Sequence, residues 1–374
     1  MHKPIRILHV ITKLTFGGVQ SNLMNYYRHI DRSKVQFDFV VQSPEIEYFE
    51  PEVESLGGII YRVPPLHIDK KSFEREFKKV LSNDVNYKIV HVHQNFLNII
   101  PLKIAKKAGI PVRVSHSHSH YPANNFITIA KRIAFKKLLP LYATDFYACS
   151  IEAGKWLYGK KIIEKPNFKV IVNGIETEKF AFKQKVREEY RKKLMIENAT
   201  VYVHSGMFTD AKNHAFLLEI FKEIQNLNSN TKLLLIGDGS KKEELNLLSK
   251  RLEIEKDVIF LGKKENVQDF LFAADFFIFP SKFEGLGMSV IEAQMTGLSC
   301  FVSNRVPKEV NLFNKTCFLD IQDTPQKWAE EICDNNFSNK QRLNTDLNNS
   351  LFNIKNQAPK LLQYYLKSIQ SAQG

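Results

Sequence analysis

The sequence predicts an α/β protein with two domains, each built around a parallel sheet. Its 374 residues, 44% of them hydrophobic, are more than a single core of ordinary size holds. Short apolar runs of strand type alternate with amphipathic stretches of helical spacing, which is the pattern of parallel sheets. A turn-type pair, Asn173-Gly174, separates an earlier series of these runs from a later one.

Each apolar run is predicted to be a strand. Seven precede the turn pair, at residues 5–11, 37–41, 59–63, 89–93, 112–115, 146–149 and 170–172, and five follow it, at 201–205, 232–236, 258–261, 276–279 and 300–302. We therefore predict a first domain at 1–173, a second at 174–350 and a final helix at 351–374. Ligands of parallel sheets bind beyond the carboxyl ends of the strands, so we look for function in the loops that follow these runs.

The net charge of +13 is unevenly distributed along the chain. Residues 1–173 carry 26 Lys and Arg against 14 Asp and Glu, whereas the rest of the chain is close to neutral. This excess indicates an anionic partner for the first domain. Nucleic acid is not expected, because no binding motif accompanies the charge. An anionic membrane surface is the favoured partner, through Lys131, Arg132, Lys136 and Lys137 among apolar neighbours; an ordinary solvated helix is the alternative reading.

Cysteine usage and hydropathy indicate the compartment. The four cysteines show no C-x-x-C spacing, so neither a zinc site nor a disulfide framework is expected, and a reducing cytosol fits. No run approaches the 18 apolar residues of a membrane span, and the first apolar run is too short for a signal sequence. We expect a cytoplasmic protein, peripheral at most on the inner face of the plasma membrane.

The most informative segment is 276–294, in which a hydrophobic strand leads through a glycine-bearing loop into a helix. Backbone N–H groups at such a helix start suit an anion, most naturally a phosphate. Two carboxylates, Glu284 in the loop and Glu292 in the helix, would repel a phosphate unless they bind neutral hydroxyls on either side of it. A nucleotide-sugar has that layout of sugar hydroxyls, diphosphate and ribose hydroxyls. Two ordinary, partly exposed acids are the alternative.

Glu284 and Glu292 resemble the E-x7-E signature of retaining glycosyltransferase family 4, whose enzymes have the GT-B fold. The resemblance, which is to bacterial exopolysaccharide, capsule and O-antigen enzymes in particular, covers nearly the whole chain in order, at 17–20, 27–31, 37–40, 172–175, 212–214 and 235–239. It implies two Rossmann-like domains facing across a cleft. The first would bind the acceptor and the second the nucleotide-sugar, and the last helix would cross back to the first domain.

The resemblance also implies a donor site and a reaction. Glu284 would hold the sugar hydroxyls, Glu292 the ribose and Lys212 the leaving diphosphate, helped by backbone N–H groups at Gly17, Gly18, Gly285, Leu286, Gly287, Met288 and Ser289. A hexose or N-acetylhexosamine would pass with retention to a lipid-linked or soluble glycan, with a donor phosphate oxygen as base. UDP is expected rather than GDP. The chain has no Asp-x-Asp pair, so we expect no metal and no other cofactor.

Histidines are dense after two of the predicted strands. His91 and His93 end one strand, and His116, His118 and His120 follow another. The residues alone leave three roles open: metal ligands, satisfied polar side chains, or the lining of a cleft. The resemblance implies that one histidine meets the transferring sugar while others line the acceptor cleft. We expect His118 in the first role, with His116 as the alternative, and His93 and His116 in the cleft.

One position departs from the family pattern. The residue after Gly206 is Met207, where the family usually has an Arg that stabilises the leaving diphosphate together with the Lys. Its loss is expected to cost about 2–4 kcal/mol in the transition state, unless another cation such as Lys282 replaces it. Two alternatives to a transferase therefore stay open: a non-catalytic relative that binds a nucleotide-sugar or acts as a scaffold, and a sugar-nucleotide epimerase, which needs no second substrate.

Overall fold

The computed structural model describes residues 3–118, 133–334, 342 and 347–373. They form two compact units. Unit 1 comprises Met1–Glu176 and Asn349–Gly374, and unit 2 comprises Thr177–Asn348. The chain therefore leaves unit 1 once and returns to it for the last segment.

Unit 1 is built on a seven-stranded parallel sheet in the order β3-β2-β1-β4-β5-β6-β7. Its strands are β1 (Ile5–Val10), β2 (Val35–Val41), β3 (Ile60–Arg62), β4 (Ile89–Val92), β5 (Val112–Ser117), β6 (Asp145–Ala148) and β7 (Phe168–Val170). The order runs outward in opposite directions from β1 and β4, so the reversal lies between these two strands. In open α/β sheets this reversal is where ligands bind.

The helices of unit 1 that precede unit 2 in the chain pack on both faces of this sheet. They are α1 (Gly18–His29), α2 (Glu50–Ser55), α3 (Lys70–Leu81), α4 (Ile99–Lys107), α5 (Ile151–Tyr158) and α6 (Lys160–Ile163), and residues 133–138 are also helical. In α3 the buried residues Phe73, Phe77 and Leu81 recur every four positions, and Asp69 caps the helix by accepting from the Ser72 N–H. This spacing directs one apolar stripe into the core.

Unit 2 repeats the architecture with six parallel strands in the order β10-β9-β8-β11-β12-β13. The strands are β8 (Thr200–Ser205), β9 (Thr231–Ile236), β10 (Val258–Gly262), β11 (Phe276–Phe279), β12 (Ser299–Ser303) and β13 (Thr316–Leu319). The helices are α7 (Gln184–Leu194), α8 (His214–Leu227), α9 (Lys242–Arg251), α10 (Val267–Ala273), α11 (Met288–Met295) and α12 (Pro325–Asp334). Here the reversal of strand order lies between β8 and β11.

The last helix, α13 (Ile354–Gln373), belongs to unit 1. Its buried residues Ile354, Ala358, Leu361 and Tyr365 join one cluster with apolar residues of β1, β2 and α1. Their spacing of three and four residues places them on one face of the helix. That face completes the core on one side of the first sheet.

All twelve predicted strands are present, and their ends differ from the predicted ones by at most two residues. The prediction missed β13, a four-residue edge strand that is only half-buried over most of its length and so carries a weak hydrophobic signal. β5 runs on to Ser117, so His116 lies within the strand rather than after it. In the part of the chain described, no helix is at once long enough and apolar enough to cross a bilayer.

Candidate functional site

Two groups of residues stand where strand order reverses, one in each unit. In unit 2 the carboxyl ends of β8 and β11 lie side by side. Gly206 and Met207 follow β8, and the loop 280–287 follows β11 before α11 begins. This edge is where the predicted donor residues Lys212, Glu284 and Glu292 are found.

Lys212 is held between the two loops. It lies in a short 3₁₀ turn ahead of α8, and its Nζ donates to Glu284 Oε1 at 2.6 Å. The ammonium also lies over the Phe279 ring, 4.6 Å from its centroid. The Lys282 N–H donates to the Ala211 carbonyl at 2.8 Å, which joins the loop after β11 to the turn that carries Lys212. The structure thus brings together two of the three predicted charged residues in one ion pair.

Two glycines make room for this arrangement. A Cβ on Gly206 would lie 3.4 Å from Cδ and Cε of Lys212, so the lysine stem passes close against the backbone. Gly237 has a φ of +145°, and a Cβ there would lie 2.0 Å from the Gly206 carbonyl oxygen. Only glycine fits at that second position. Gly237 therefore has a structural role, because it lets the loop after β9 pack against the loop that carries the site.

The start of α11 presents backbone N–H groups at the same edge. Gly287, the N-cap, has a φ of +88°, which favours glycine, and the first turn of a helix has N–H groups without intrahelical partners. The Gln294 amide donates to the Val310 carbonyl at 2.6 Å and accepts the Leu312 N–H at 3.1 Å. These bonds anchor α11, so the predicted segment from Gly285 to Ser289 is held on a fixed element.

The two glutamates differ in environment. Glu284 is ion-paired, with 12% of its side chain exposed. Loss of hydration raises the pKa of Glu292 to about 7, and the nearby positive charge of Lys212 only partly lowers that pKa. Glu292 is accordingly half-protonated near neutral pH, whereas Glu284 has its countercharge in place. A carboxyl group in this state can either accept or donate a hydrogen bond to a ligand hydroxyl.

A buried histidine pair next to Lys212 was not predicted. The rings of His204 and His214 meet edge to face, 4.4 Å apart, and His204 Nδ1–H donates to the Ile278 carbonyl at 2.9 Å. Burial lowers the pKa of both rings, to about 3 for His214, and the charge of Lys212 lowers both further. Nothing in the sequence indicates this contact, because His204 lies within a predicted strand and His214 follows a loop.

The position that departs from the family pattern is open to solvent. The Met207 side chain is 61% exposed, and Lys282 is exposed as well. Neither side chain is among the contacts of the Lys212 ammonium with Glu284 and Phe279. The exposure shows that a longer, charged side chain has room at position 207.

In unit 1 five histidines lie at the reversal between β1 and β4. We call His9, His91, His93, His116 and His118 the histidine cluster. His9 of β1 stands opposite His91 of β4 in the ladder, and β5, which carries His116, pairs on the other side of β4. Within a strand, residues two apart share a face, so all five side chains lie on one face of three neighbouring strands.

The cluster is joined by hydrogen bonds between imidazoles, in two chains. In the first, His93 lies 2.9 Å from His9 (Nε2 to Nδ1) and 2.7 Å from His118 (Nδ1 to Nε2). In the second, His91 lies 3.1 Å from His116 (Nε2 to Nδ1) and 2.7 Å from the Tyr365 hydroxyl (Nδ1 to Oη). Two buried atoms, Nε2 of His9 and Nε2 of His116, find no hydrogen-bond partner among the described residues.

Burial determines the charge state of this cluster. Loss of hydration lowers the pKa of His9 and of His118 to about 3, and the pKa values of His91, His93 and His116 lie well below the usual range. For those three, neighbouring histidines lower the pKa further. All five imidazoles are therefore neutral near pH 7, with one N–H and one lone pair each.

The glycine loop predicted at 17–18 lies on the same edge of unit 1. Gly17 is the N-cap of α1, with extended backbone, and Gly18 has open space where a Cβ would stand. Sequence reasoning identified His93, His116 and His118 but missed His9 and Tyr365. His9 was available as a polar residue inside an apolar strand, whereas nothing in the sequence links Tyr365 to a histidine 274 positions away.

Some predicted residues lie outside the part of the chain that the structure describes. These are His120 and, from the basic group, Lys131 and Arg132. Lys136 and Lys137 are described, in the helical stretch that begins at residue 133. Exposed apolar side chains follow on the same stretch and just after it, namely Ile133, Leu138 and Leu141.

Comparisons of the sequence and of the fold with known proteins both find glycosyltransferases. Residues 16–179 match the family model described as Glycosyltransferase Family 4, and residues 186–348 match the one described as Glycosyl transferases group 1. A putative glycosyltransferase, EpsF, of Bacillus subtilis (strain 168) is 31% identical over 332 residues, which cover 87% of this chain and 86% of that protein.

Two further relatives and a solved structure extend the match. The capsular polysaccharide biosynthesis glycosyltransferase CapH of Staphylococcus aureus is 26% identical over 88% of this chain and 90% of its own. The Escherichia coli UDP-Gal:α-D-GlcNAc-diphosphoundecaprenol α-1,3-galactosyltransferase is 26% identical over 81% and 80%. The structure of Anabaena HepE with UDP and glucose superposes with a TM-score of 0.78 at 15% identity, covering 97% of this chain and 99% of that one.

Proposed function

This chain belongs to glycosyltransferase family 4, and from that premise we propose that it transfers a hexose or N-acetylhexosamine, with retention of configuration, from a nucleotide-diphosphate sugar to a glycan acceptor. We propose UDP rather than GDP as the nucleotide and surface polysaccharide biosynthesis as the pathway. The observation that carries the proposal is the ion pair between Lys212 and Glu284 beside the start of α11. Support for UDP comes from HepE, whose structure contains UDP and glucose.

The mechanism follows from where negative charge develops. As the bond from the anomeric carbon to the diphosphate breaks, charge grows on the diphosphate oxygens. The Lys212 ammonium and the N–H groups of the segment from Gly285 to Ser289 are the donors at this edge of unit 2. Donors that are already oriented before the reaction stabilise such charge most effectively. Backbone N–H groups at Gly17 and Gly18 are proposed to assist from unit 1.

The glutamates are proposed to bind neutral parts of the donor. Glu284 would exchange part of its contact with Lys212 for the sugar hydroxyls, so that the ammonium turns to the diphosphate as the sugar enters. Glu292 would hold the ribose hydroxyls. Glu284 is proposed to position the donor and not to act as a glycosidase-like nucleophile. Retention would come from attack on the face that the diphosphate leaves, with a donor phosphate oxygen as base.

No metal is proposed at the diphosphate, since Lys212 and the helix N-terminus offer the positive potential that a metal would supply there. Met207 leaves this site with one cation fewer than the family pattern. Lys282 is the proposed substitute, because its backbone is bonded to the turn that carries Lys212. Its side chain is exposed to solvent.

We propose unit 1 as the acceptor-binding part and unit 2 as the nucleotide-sugar-binding part, divided near the predicted junctions at 173/174 and 350/351. His118 would meet the transferring sugar, with His116 as the alternative, and His93 and His116 would line the acceptor side. The acceptor would be a glycan on a lipid carrier. Support comes from the Escherichia coli relative, whose name includes a sugar linked to diphosphoundecaprenol. A soluble glycan is the other possibility.

A lipid-linked acceptor would place unit 1 at an anionic membrane. The exposed residues Leu138 and Leu141 follow the basic positions 136 and 137, and Lys106 donates to the Leu141 carbonyl at 2.9 Å. Such a mixture of cations and apolar side chains suits an anionic bilayer surface. Co-sedimentation with phosphatidylglycerol-containing vesicles, but not with pure phosphatidylcholine vesicles, is expected. Absence of binding to the anionic vesicles at moderate salt would remove this part of the proposal.

The donor site is tested by thermal stabilisation with a panel of nucleotides and nucleotide-sugars, comparing wild type with Glu292→Ala. A ligand at a hundredfold over its Kd adds about 2.7 kcal/mol of stability, which is visible as a rise in Tm. A shift that is selective for one nucleoside diphosphate and weaker in Glu292→Ala is expected. A panel without any shift would favour the non-catalytic relative instead.

The products formed from the donor distinguish a transferase from the remaining alternative, a sugar-nucleotide epimerase. Incubation with the donor alone would yield an epimerised nucleotide-sugar only from an epimerase. A transferase releases free nucleoside diphosphate, and faster when an acceptor glycan is present. Formation of an epimer without nucleotide release is the result that would overturn the proposed transfer.

A further inference from the structure

We propose that His93, His116 and His118 form a binding site for a divalent transition-metal ion of the zinc class. One ligand nitrogen from each of these residues lies within 4.8 Å of the other two. The site belongs entirely to unit 1 and does not depend on the donor site of unit 2. Two of its residues are buried, and His118 is half-buried and so offers the ion an edge of entry.

An unpartnered nitrogen points to this set. His116 is 2% exposed, its Nδ1 is bonded to His91, and its Nε2 is buried without a partner among the described residues. A buried polar atom without a partner costs about 1–3 kcal/mol. The lone pair of that nitrogen binds an ion directly in the tautomer in which His116 Nδ1–H donates to His91 Nε2, and His91 Nδ1–H then donates to the Tyr365 hydroxyl. The orphan nitrogen and the clustering are independent observations.

The outer contacts have the arrangement that metal-binding histidines need. Imidazole ligands are usually oriented by a bond from the second ring nitrogen. His93 has such a bond through Nε2 to His9, and His116 has one through Nδ1 to His91. His91 is in turn held by the Tyr365 hydroxyl on α13. Two of the three proposed ligands are thus oriented before any ion binds.

A second set, His9, His91 and His93, also has its ligand nitrogens within 4.8 Å of one another. It is the weaker candidate, because both nitrogens of His91 already have partners, and an ion there would break one of those bonds. The proposed set loses only the bond between His93 Nδ1 and His118 Nε2. These atoms are 2.7 Å apart and need to separate to about 3.3 Å for two nitrogens on a tetrahedral ion.

The ligand chemistry selects the class of ion. Three neutral imidazoles suit zinc, cobalt, nickel or copper, whereas magnesium and calcium need oxygen ligands. Three protein ligands leave a fourth position open, as in zinc sites that accept a water or a substrate oxygen. Binding through Nε2 of His118 leaves its Nδ1 for the role proposed toward the sugar. The ion would therefore act on the acceptor side and not on the diphosphate.

The test is titration of the full-length, chelator-treated protein with Zn²⁺ and, separately, with Co²⁺, without any nucleotide. Calorimetry is expected to show one ion per chain, and Co²⁺ is expected to develop the visible bands of a four-coordinate site. His118→Ala and His116→Ala should weaken binding by at least about 100-fold, and His91→Gln by about 10- to 100-fold through loss of orientation. His67→Ala, at an exposed histidine of the same unit, is the matched control.

His118→Ala changes the half-buried member and is the variant most suited to retain the fold, which circular dichroism verifies. Failure of wild type to bind either ion more tightly than surface histidines do would overturn the proposal in favour of a purely hydrogen-bonded cluster. Equal binding by wild type and both alanine variants would overturn it as well. Because no donor is present, these outcomes are distinct from failure of the proposed transfer.

Discussion

The two units place their functional residues at the same point of the same architecture and fill that point with different chemistry. In unit 2 the reversal between β8 and β11 holds charges: Lys212 paired to Glu284, with Glu292 nearby. In unit 1 the reversal between β1 and β4 holds five imidazoles that burial keeps neutral. The sheet topology determines where a site is, and the side chains determine what it binds.

The difference indicates how each site responds to a ligand. A half-buried cation and carboxylate in contact remain able to exchange partners when a phosphate and hydroxyls enter, so unit 2 is suited to developing charge. Neutral imidazoles offer lone pairs and N–H groups, which suit hydroxyls or a soft cation. Substitutions in unit 2 should therefore affect turnover most, and those in unit 1 should affect stability and the binding of neutral groups or metal.

The largest expected effect is that of Lys212→Ala. Loss of one preorganised donor to the leaving group should lower kcat by about 10²- to 10³-fold, measured as nucleoside diphosphate released from the donor. Lys241→Ala is the control, since Lys241 is also an ion-paired lysine of unit 2, bonded to Asp210 and Glu244. Comparable losses in both variants would show that Lys212 contributes only through general electrostatics.

Lys212→Ala also leaves Glu284 without its countercharge, which affects folding as well as turnover. The double variant Lys212→Ala/Glu284→Gln removes that unpaired carboxylate. We expect it to regain stability in a denaturation experiment while its turnover stays low. Recovery of both properties would contradict a direct role for Lys212.

The second expected effect is a gain in turnover from a substitution in unit 2. Met207→Arg introduces the cation that the family usually has, and the contribution of about 2–4 kcal/mol expected for it in the transition state corresponds to roughly 30- to 900-fold in turnover. Met195→Arg, at a residue that is 84% exposed, adds the same charge elsewhere in unit 2. An unchanged rate in Met207→Arg would mean that another cation, such as Lys282, already performs this role.

The third prediction concerns unit 1. Tyr365→Phe removes the hydroxyl that contacts His91 Nδ1 and leaves that buried nitrogen unpartnered. The free energy of unfolding should fall by about 1–3 kcal/mol, measured by chemical denaturation. Tyr364→Phe is the neighbouring control, at a half-buried ring with Lys169 over its face, and should change stability by less than about 0.5 kcal/mol. Equal effects of the two substitutions would show that the Tyr365 hydroxyl does not stabilise the histidine cluster.

The last expected effect is a pH dependence of stability that comes from Glu292. Its folded-state pKa of about 7 lies above the unfolded value of 4.5. The native state therefore binds more protons between these values, and stability falls as pH rises from about 4.5 to 7. Glu292→Gln should lack this component, so its Tm should fall less than that of wild type over the same range.

Glu255→Gln, which changes an exposed glutamate of the same unit, is the control and should follow wild type. Parallel profiles for wild type and Glu292→Gln would show that Glu292 titrates normally. In that case the Glu292 carboxylate would be fully charged at neutral pH. The contrast between the two glutamates of unit 2 would then disappear.

Much of the fold was accessible from local pattern, and the exceptions have physical causes. Apolar runs such as 276–279 are buried on both faces of a parallel sheet, so they read as strands from the sequence. The edge strand β13 is half-exposed and lacks that signal. Glu284 and Glu292 were identified through one spacing in a loop-to-helix segment, because these two residues lie close together in the chain, whereas the role of Lys212 was implied by the resemblance to the family.

What the sequence by itself determined is therefore the class of fold, the family and the residue types that carry charge at the proposed donor site. Tertiary structure alone decided which side chains meet: Lys212 with Glu284 across 72 positions, and His91 with Tyr365 across 274. Tertiary structure also decided that burial makes five histidines neutral while one glutamate holds its proton to about pH 7. The reason is that hydrophobic periodicity is local, whereas hydration and partners depend on the packing of elements that are distant along the chain.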